Sequence, residues 1–301
     1  MAAVPPRPLI SRPSRRTVWL SISAAALVGC VAAAVVADVP HRIVSLVPAT
    51  TEMLFAMGAG GKVVGVSSYD RHPTDVERLP RVGALLDPNV ERILSLKPDL
   101  VIVYDTQADL KQQLERAGMQ FFAYRHRGLP DVMDTIRELG ARVGAAPAAN
   151  ALADRMERSL ADIRARTSAI HRPKALLIFG REPGSLRNIA ASGGYGFLHD
   201  LLDVAGGDDV LGDIRRESVM MSTEMILARA PEVIVELQYS ESASPESSKS
   251  DEAVWSALPA VPAVKNRQIY VLRGDHFVVP GPRIVEAARQ LAGVLHPDVF
   301  R

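Results

Sequence analysis

Seven histidines are the residues of this chain that most directly suggest metal or acid–base chemistry. They stand at positions 41, 72, 126, 171, 199, 276 and 296. No two of them are four residues apart on a helix, and none lies in a His-rich loop, so their spacing does not favour zinc binding. The sequence therefore predicts no metal site formed by protein ligands alone.

Motifs for covalent or nucleotide chemistry are also absent from the sequence. It contains neither a GxSxG nucleophile motif nor a phosphate-binding P-loop, and its single cysteine is Cys30. The segment "GAGGKVVG" over 58–65 has the glycines of a dinucleotide motif, but it precedes a predicted strand instead of following one. These observations favour a binding protein over an enzyme.

Composition and charge narrow the class of ligand. The chain has 301 residues, of which 48% are hydrophobic and 5% aromatic, and its formal net charge is +1. The first 37 residues carry four arginines and no acid, which leaves a net charge of −3 for residues 38–301. A slightly acidic body with few rings lacks the basic face that nucleic-acid binding requires, so no nucleic-acid partner is expected.

The N-terminus, residues 1–37, has the features of an export leader. The basic segment "RPLISRPSRR" precedes the uncharged stretch "TVWLSISAAALVGCVAAAVVA", which is long enough to span a bilayer but fits a secretory signal better. Two processing sites remain open: lipidation of Cys30 in "LVGC", and cleavage after Ala37. Cys30 could also be one more small apolar residue of the segment. Each alternative places the body outside the cytoplasm, with the membrane reached only through an N-terminal anchor.

Apolar periodicity predicts an α/β fold in two parts. Predicted strands cover 43–47, 62–67, 100–104, 120–124, 174–180 and 268–273, with helical segments between them. Such alternation is typical of a parallel sheet covered by helices. The first helix is predicted to be capped by Thr50 or Thr51.

A long uninterrupted helical stretch separates the two parts. It runs from 147 to 170, opens with a proline and carries an apolar stripe. Its length exceeds that of most helices in α/β units. The alternatives are an ordinary crossover helix and, as we prefer, one long rigid α-helix. It would join two Rossmann-like lobes, an N-terminal lobe over 41–146 and a C-terminal lobe over 171–301.

Each predicted lobe carries one copy of the same short pattern. "ERILSLKPDLVIV" begins at Glu91 and "EMILARAPEVIVE" at Glu224, an offset of 133 residues. Glu, Ile, Leu and Pro coincide, and an acid follows each proline. The repeat indicates that the two lobes are similar in architecture.

Four segments, in order around the long helix, resemble a known family. They are the export leader, "IVSLVPATTEMLFAMGAGGKVVGVSSYD", "NVERILSLKPDLVI" and "STEMILARAPEVIV". Together they resemble the periplasmic metal-chelate receptors, which are the substrate-binding proteins of ABC importers for cobalamin, ferric siderophores and haem. The match covers about 41–297, and "GVSSYD" and "NVERILSLKPDLVI" are most similar to the cobalamin receptors of this family.

The resemblance implies a ligand cleft between the lobes and a partner in the membrane. The ligand would be a corrinoid or related metal chelate, and the partner a permease dimer with its ATPase subunits. The implied ligand contacts are Pro48, Ala49, Tyr69, Tyr104, Arg181, Asp275, His276 and Phe277. Glu91 and Glu224 are the implied permease-docking residues; alternatively, each glutamate only favours its own helix N-terminus. No resident cofactor and no catalytic residue are implied.

The sequence also departs from the cobalamin receptors. Leu85, Tyr104, Ser218 and His276 stand where those receptors have tryptophans, and Trp255 is the only tryptophan of the body. A ferric siderophore or haem receptor is therefore the alternative, in which His72 or His276 could reach the metal of the chelate. An exported enzyme acting on a metal cofactor is a third hypothesis.

Overall fold

The computed structural model describes residues 1–3, 39–125, 127–239 and 253–300. Val39–Arg301 forms one compact unit. Cys30 and Ala37 lie outside the described residues, so both processing sites stay predictions. In the ranges that the structure describes, no helix is long and apolar enough to cross a membrane.

The first sheet has four parallel strands in the order β2-β1-β3-β4. Its strands are β1 Ile43–Ser45, β2 Val63–Val66, β3 Leu100–Tyr104 and β4 Phe121–Tyr124. Its helices are α1 Pro48–Ala56, α2 Val90–Ser95, α3 Ala108–Arg116 and α4 Leu129–Arg142. Strand β3, "LVIVY", is buried along almost its whole length because helices cover both faces of the sheet.

Helix α1 begins earlier than its predicted cap. Pro48 occupies the first turn, where its missing N–H leaves no hydrogen bond unmade, and Val47 precedes the helix without a side-chain cap. The hydroxyls of Thr50 and Thr51 instead donate to the Val47 carbonyl, at 2.9 and 3.2 Å. The prediction that either threonine caps the helix is therefore wrong.

The second sheet is mixed. Its order is β10-β9-β5-β6-β8, with β7 paired to one end of β5. Its strands are β5 Lys174–Gly180, β6 Ile189–Ser192, β7 Asp208–Asp209, β8 Ser218–Met221, β9 Val233–Gln238 and β10 Ile269–Arg273. Strands β5, β9 and β10 are parallel, whereas β6 pairs antiparallel with both β5 and β8. The segments of β6 and β8, "IAAS" and "SVMM", each contain a single β-branched residue and no aromatic one, so the sequence did not predict them.

The remaining helices link and cover this sheet. They are α5 Ala146–Thr167, α6 Phe197–Val204, α7 Thr223–Arg229, α8 Pro262–Lys265 and α9 Ile284–Leu295, with a short 3-10 turn at Asp275–Phe277. Helix α5 nearly coincides with the predicted connector over 147–170. The role of α5 as a rigid connector and the boundaries of the lobes stay predictions.

Helix α5 packs closely on α4 and on the core of both sheets. Its buried stripe contains Leu152, Met156, Leu160 and Ile163. A Cβ at Gly140 of α4 would lie 2.1 Å from the Cβ of Ala149, so only glycine permits this approach. One continuous hydrophobic core includes side chains from α1, α4, α5, α6 and α9. This packing fixes the first turn of α1 relative to the last helices of the chain.

Candidate functional site

Ring side chains gather where the strands of the two sheets end. Tyr104 and Tyr124 are the last residues of β3 and β4, with ring centroids 6.0 Å apart in an edge-to-face arrangement. Phe179 is next to last in β5, and Tyr239 directly follows β9. Carboxyl ends of parallel strands are where α/β folds place their ligands.

A pocket of about 230 Å³ lies among these rings in the second half of the chain. We call it the ring pocket. It is lined by Phe179, Tyr195, Gly196, Phe197, Leu198, Glu217, Ser218, Tyr239 and Val278. Tyr195 and Tyr239 stay exposed although both are large and partly apolar, so their faces are open to a ligand.

The start of α4 lies close to one residue of the ring-pocket lining. Gly196 has φ +97, and a Cβ there would lie 3.0 Å from the Glu217 side chain and 3.5 Å from the Arg127 carbonyl. Next to it, Asp200 of α6 accepts a hydrogen bond of 2.9 Å from the N–H of Leu129 at the start of α4. The ring pocket therefore lies beside the contact between the start of α4 and helix α6.

Tyr69 and Tyr104, both implied by the resemblance as ligand contacts, lie near the buried carboxyl group of Asp70. Tyr69 is 71% exposed, in the loop after β2. Asp70 is buried, and its Oδ2 accepts from the Ser67 N–H at 2.9 Å, which fixes the loop that carries Tyr69. Burial raises the pKa of Asp70 to about 6. Burial, together with the Asp70 carboxylate, raises the pKa of the Tyr104 hydroxyl to about 12, so Tyr104 is a neutral hydrogen-bond donor at physiological pH.

Helix α1, which begins with Pro48 and Ala49, is joined to Asp275 by an ion-pair network through Glu52 and Arg283. Arg283 donates to Glu52 of α1 at 2.5 and 3.0 Å and to Asp275 Oδ1 at 2.7 Å. Burial disfavours the charged form of Arg283, but the hydrogen bonds to Glu52 and Asp275 raise its pKa. Burial likewise opposes ionisation of Asp275, yet the hydrogen bond from Arg283 brings its pKa below the usual value.

Four of the implied ligand contacts have buried side chains: Ala49, Arg181, His276 and Phe277. Arg181 is 5% exposed, and its Nε donates at 3.0 Å to Glu236, which also accepts from Trp255 Nε1 at 2.5 Å. Phe277 is 0% exposed in the main core. Neither side chain offers a surface to a ligand in this structure, because each fills a buried position that no local pattern reveals. Contact of Arg181 and Phe277 with a ligand stays a prediction.

His276 is buried against the ring of Phe277, with ring centroids 4.3 Å apart. Its Nε2 has no hydrogen-bond partner among the described residues. Among the residues that the structure describes, no three His, Cys, Asp or Glu side chains lie close enough together to form a metal site. A role for His276 toward a ligand stays a proposal.

Glu91 and Glu224 lie in equivalent, exposed places on α2 and α7. Asn89 and Ser222 cap the two helices by accepting from backbone N–H groups at 2.8 and 3.2 Å. Backbone hydrogen bonds to its carboxylate, with further bonds from Ser222 and Thr223, lower the pKa of Glu224. This geometry is compatible with both alternatives for Glu224, docking and stabilisation of its own helix.

The repeated pattern continues beyond the helices. Lys97 and Ala230 end α2 and α7 in the left-handed region, with φ +48 and +47. Asp99 then accepts from the N–H groups of the two residues before β1, at 2.7 and 2.9 Å, and Glu232 from the first N–H group of β5, at 2.8 Å. The two copies therefore share local structure residue by residue.

Comparison with known proteins gives the same assignment for most of the chain. The family model described as periplasmic binding protein matches residues 43–276. The chain belongs to this family. It is 31% identical to the uncharacterized ABC transporter substrate-binding lipoprotein YvrC of Bacillus subtilis (strain 168), over 87% of this chain and 82% of that protein.

Two further relatives carry the name of a ligand. The vitamin B12-binding protein of Yersinia pestis (strain Pestoides F) is 29% identical and covers 85% of this chain and 86% of its own length. The periplasmic heme-binding protein RhuT from Roseiflexus sp. RS-1, in apo form, has a TM-score of 0.72 at 25% identity, over 87% of this chain and 99% of its own. The predicted α/β receptor fold and the predicted substrate-binding role in ABC import are confirmed.

Sequence reasoning missed most of the ring pocket. Phe179 could have been found, because it stands near the carboxyl end of the predicted strand 174–180, and Tyr239 because it follows the apolar run of the second repeat copy. Tyr195 lies in a glycine-rich turn before α6, and no such rule points to it. Arg283 was missed because its partner Glu52 is 231 residues away.

Proposed function

We propose that this protein captures a corrinoid or a closely related metal chelate outside the cytoplasm and delivers it to the permease dimer of an ABC importer. The ring pocket carries this proposal, since exposed tyrosines and Phe179 offer flat faces suited to a macrocycle. At about 230 Å³ the pocket holds one edge of such a ligand. The rest lies against Tyr69 and Tyr104.

The relatives support this ligand class, and the pocket chemistry agrees with them. Ser218, which stands where the cobalamin receptors have a tryptophan, lines the ring pocket. Tyr195 and Tyr239 supply rings on neighbouring elements, so the loss of that tryptophan leaves an aromatic surface in place. Hydroxyls of Ser218 and the tyrosines can accept hydrogen bonds from ligand amides.

The alternative ligand is haem or a ferric siderophore. The exposed phenol oxygens of Tyr69, Tyr195 and Tyr239 favour it, because tyrosine oxygen is a known ligand of haem iron. The same side chains thus suit both classes, which differ in whether the protein bonds to the metal.

One titration decides between these ligands. Residues 38–301 are titrated by calorimetry with cyanocobalamin, a cobinamide, haemin and a ferric siderophore. Calorimetry is preferable to tryptophan fluorescence, because Trp255 is fully buried, donates to Glu236 and does not line the ring pocket. We expect saturable corrinoid binding; tight haemin or siderophore binding with no corrinoid binding at millimolar concentration would refute the assignment.

We further propose that binding leaves the ligand unchanged. Members of this family named as binding proteins act in transport, and no catalytic arrangement was predicted from the sequence. Chromatography of the ligand recovered after prolonged incubation tests this proposal. A changed ligand would favour the exported enzyme.

Processing of the leader decides whether the protein is anchored to the membrane. Lipidation of Cys30 would leave a tether of 11 residues before Arg42, whereas cleavage after Ala37 would release a protein beginning at Asp38. The apolar character of residues 31–37 suits cleavage better than a tether. An unlipidated N-terminus at Asp38, measured by mass spectrometry of the native protein, would exclude the anchor.

A further inference from the structure

Helices α2 and α7 have the same local structure. Ile93 and Ile226 are fully buried beneath the helices. The caps, the left-handed last residues and the following prolines also correspond. Because these anchors fix the rotation of each helix, residues at matching positions point in matching directions relative to their own sheets.

One matching position holds an exposed leucine in both copies. Leu94 and Leu227 are 38% and 42% exposed, and each stands three residues after a glutamate, Glu91 or Glu224. Residues three apart share a helix face, so each leucine lies beside its glutamate. We call these the Glu–Leu pairs.

A single exposed leucine needs no explanation, but this recurrence does. Other positions of the two helices differ freely: Arg92 corresponds to Met225, and Ser95 to Ala228. The leucines are retained in type and in exposure, although the isoleucines already anchor both helices in the core. The retained feature is therefore a surface that combines a carboxylate with an apolar side chain.

We propose that the two Glu–Leu pairs are equivalent two-component contacts for the two subunits of the permease dimer. This rests on the proposed function and adds the leucines to its docking surface. Only a partner with twofold symmetry meets both pairs with the same residues. Its matching surface carries a cation beside an apolar depression, one on each subunit.

The two components act on different stages of docking. Exposed carboxylates attract a cationic surface over a distance, so they set the association rate and its dependence on salt. Leucine side chains make contact only after docking and resist dissociation. Removing the exposed surface of one leucine from a contact weakens binding by about threefold to tenfold.

The test uses the full receptor and its own permease–ATPase complex in lipid nanodiscs. Association and dissociation rates are measured at low and physiological salt for three double variants. These are Leu94→Gln with Leu227→Gln, Glu91→Gln with Glu224→Gln, and the control Ser95→Gln with Ala228→Gln. The control residues are exposed on the same helices but one position further along.

We expect the leucine variant to dissociate about tenfold faster or more, with an unchanged salt dependence of association. The glutamate variant should associate more slowly and lose its salt dependence, and the control should behave as the unaltered protein. Thermal unfolding of each variant checks that the fold is intact.

Two contrary results are distinguishable. If the glutamate variant loses docking and the leucine variant does not, the inference about the leucines is wrong and the proposed docking stands. If neither variant changes either rate, the proposed docking residues are themselves wrong.

Discussion

At the scale of single residues, the exposed tyrosines have the most direct consequence for ligand binding. We expect Tyr195→Ala, Tyr239→Ala and Tyr69→Ala each to weaken corrinoid binding by about 1–3 kcal/mol, because an aromatic contact buried by the ligand is lost. Calorimetric titration with cyanocobalamin measures this. The matched Tyr→Phe changes keep the ring and should cost less; equal losses for Ala and Phe would show that the hydroxyls, not the rings, bind the ligand.

Asp70 predicts a pH dependence of stability with a definite sign. Because burial raises its pKa from 3.8 to about 6, the folded state holds this proton more tightly than the unfolded chain. The contribution of Asp70 to the free energy of unfolding is therefore full below about pH 4 and falls as the pH rises to about 6, by about 3 kcal/mol.

Asp70→Asn removes this titration and keeps an oxygen that can accept from the Ser67 N–H. We expect the variant to gain stability relative to the unaltered protein between pH 4 and pH 7, measured by urea unfolding at both pH values. Asp105→Asn is a control whose expected pH dependence has the opposite sign. The hydrogen bond from Lys111 lowers the pKa of Asp105, so the stability that aspartate provides over asparagine at this position should decrease as the pH falls.

At the scale of elements, the repeated turn after α2 and α7 can be tested by one glycine. Ala230 has φ +47 and ψ +58, a conformation that costs an alanine about 1–2 kcal/mol and a glycine little. After the greater entropy of an unfolded glycine is subtracted, Ala230→Gly should raise the free energy of unfolding by about 0.5–1 kcal/mol.

The matched control lies two residues earlier. Ala228→Gly falls inside α7 and should destabilise by about 0.5–1 kcal/mol, since glycine is a poor helix former. Lys97→Gly, at φ +48 in the other copy, should stabilise as Ala230→Gly does. Equal destabilisation by Ala230→Gly and Ala228→Gly in urea unfolding would contradict a shared left-handed turn.

At the scale of the whole molecule, Arg283 connects the first helix to the last turn before α9. Removing the guanidinium leaves Glu52, which is 4% exposed, as a buried charge without this partner. We expect Arg283→Met to lower the free energy of unfolding by about 3–5 kcal/mol at pH 7. Arg289→Met, at an exposed site on α9, should change it by less than about 0.5 kcal/mol.

The double variant separates loss of an ion pair from loss of packing. Glu52→Gln combined with Arg283→Met leaves no buried charge at this site and should recover part of the stability lost by Arg283→Met alone. If the double variant is less stable than Arg283→Met, the network stabilises through hydrogen bonds that glutamine cannot replace.

The proposed docking also belongs to the scale of the whole molecule, because it would use α2 and α7 at once. Changing Glu91 and Glu224 together to alanine should abolish import into proteoliposomes and leave ligand affinity in solution nearly unchanged, since both carboxylates are exposed. Each single change should impair import less. The control changes Glu115 and Glu286, exposed acids on α3 and α9, to alanine. Normal import by the double docking variant would mean that the repeat reflects only shared ancestry.

The sequence alone determined the features that depend on neighbours along the chain. Apolar periodicity predicted the long parallel strands and the helix now seen at Ala146–Thr167, because a segment that packs on a core shows its face in its own spacing. The repeat predicted two equivalent helices, and their caps, turns and strands agree residue by residue. Family membership followed from the order of these segments.

Only the tertiary structure decided which side chains near the strand ends line a pocket and which fill the core. Arg181 and Phe277 follow strand ends, as contact residues do, yet Glu236 and the core enclose them. The ring pocket joins residues from 179 to 278, and Arg283 pairs with Glu52 across 231 positions. Such contacts depend on how two sheets assemble around α4 and α5, and no local pattern encodes a distance between residues that are far apart in the chain.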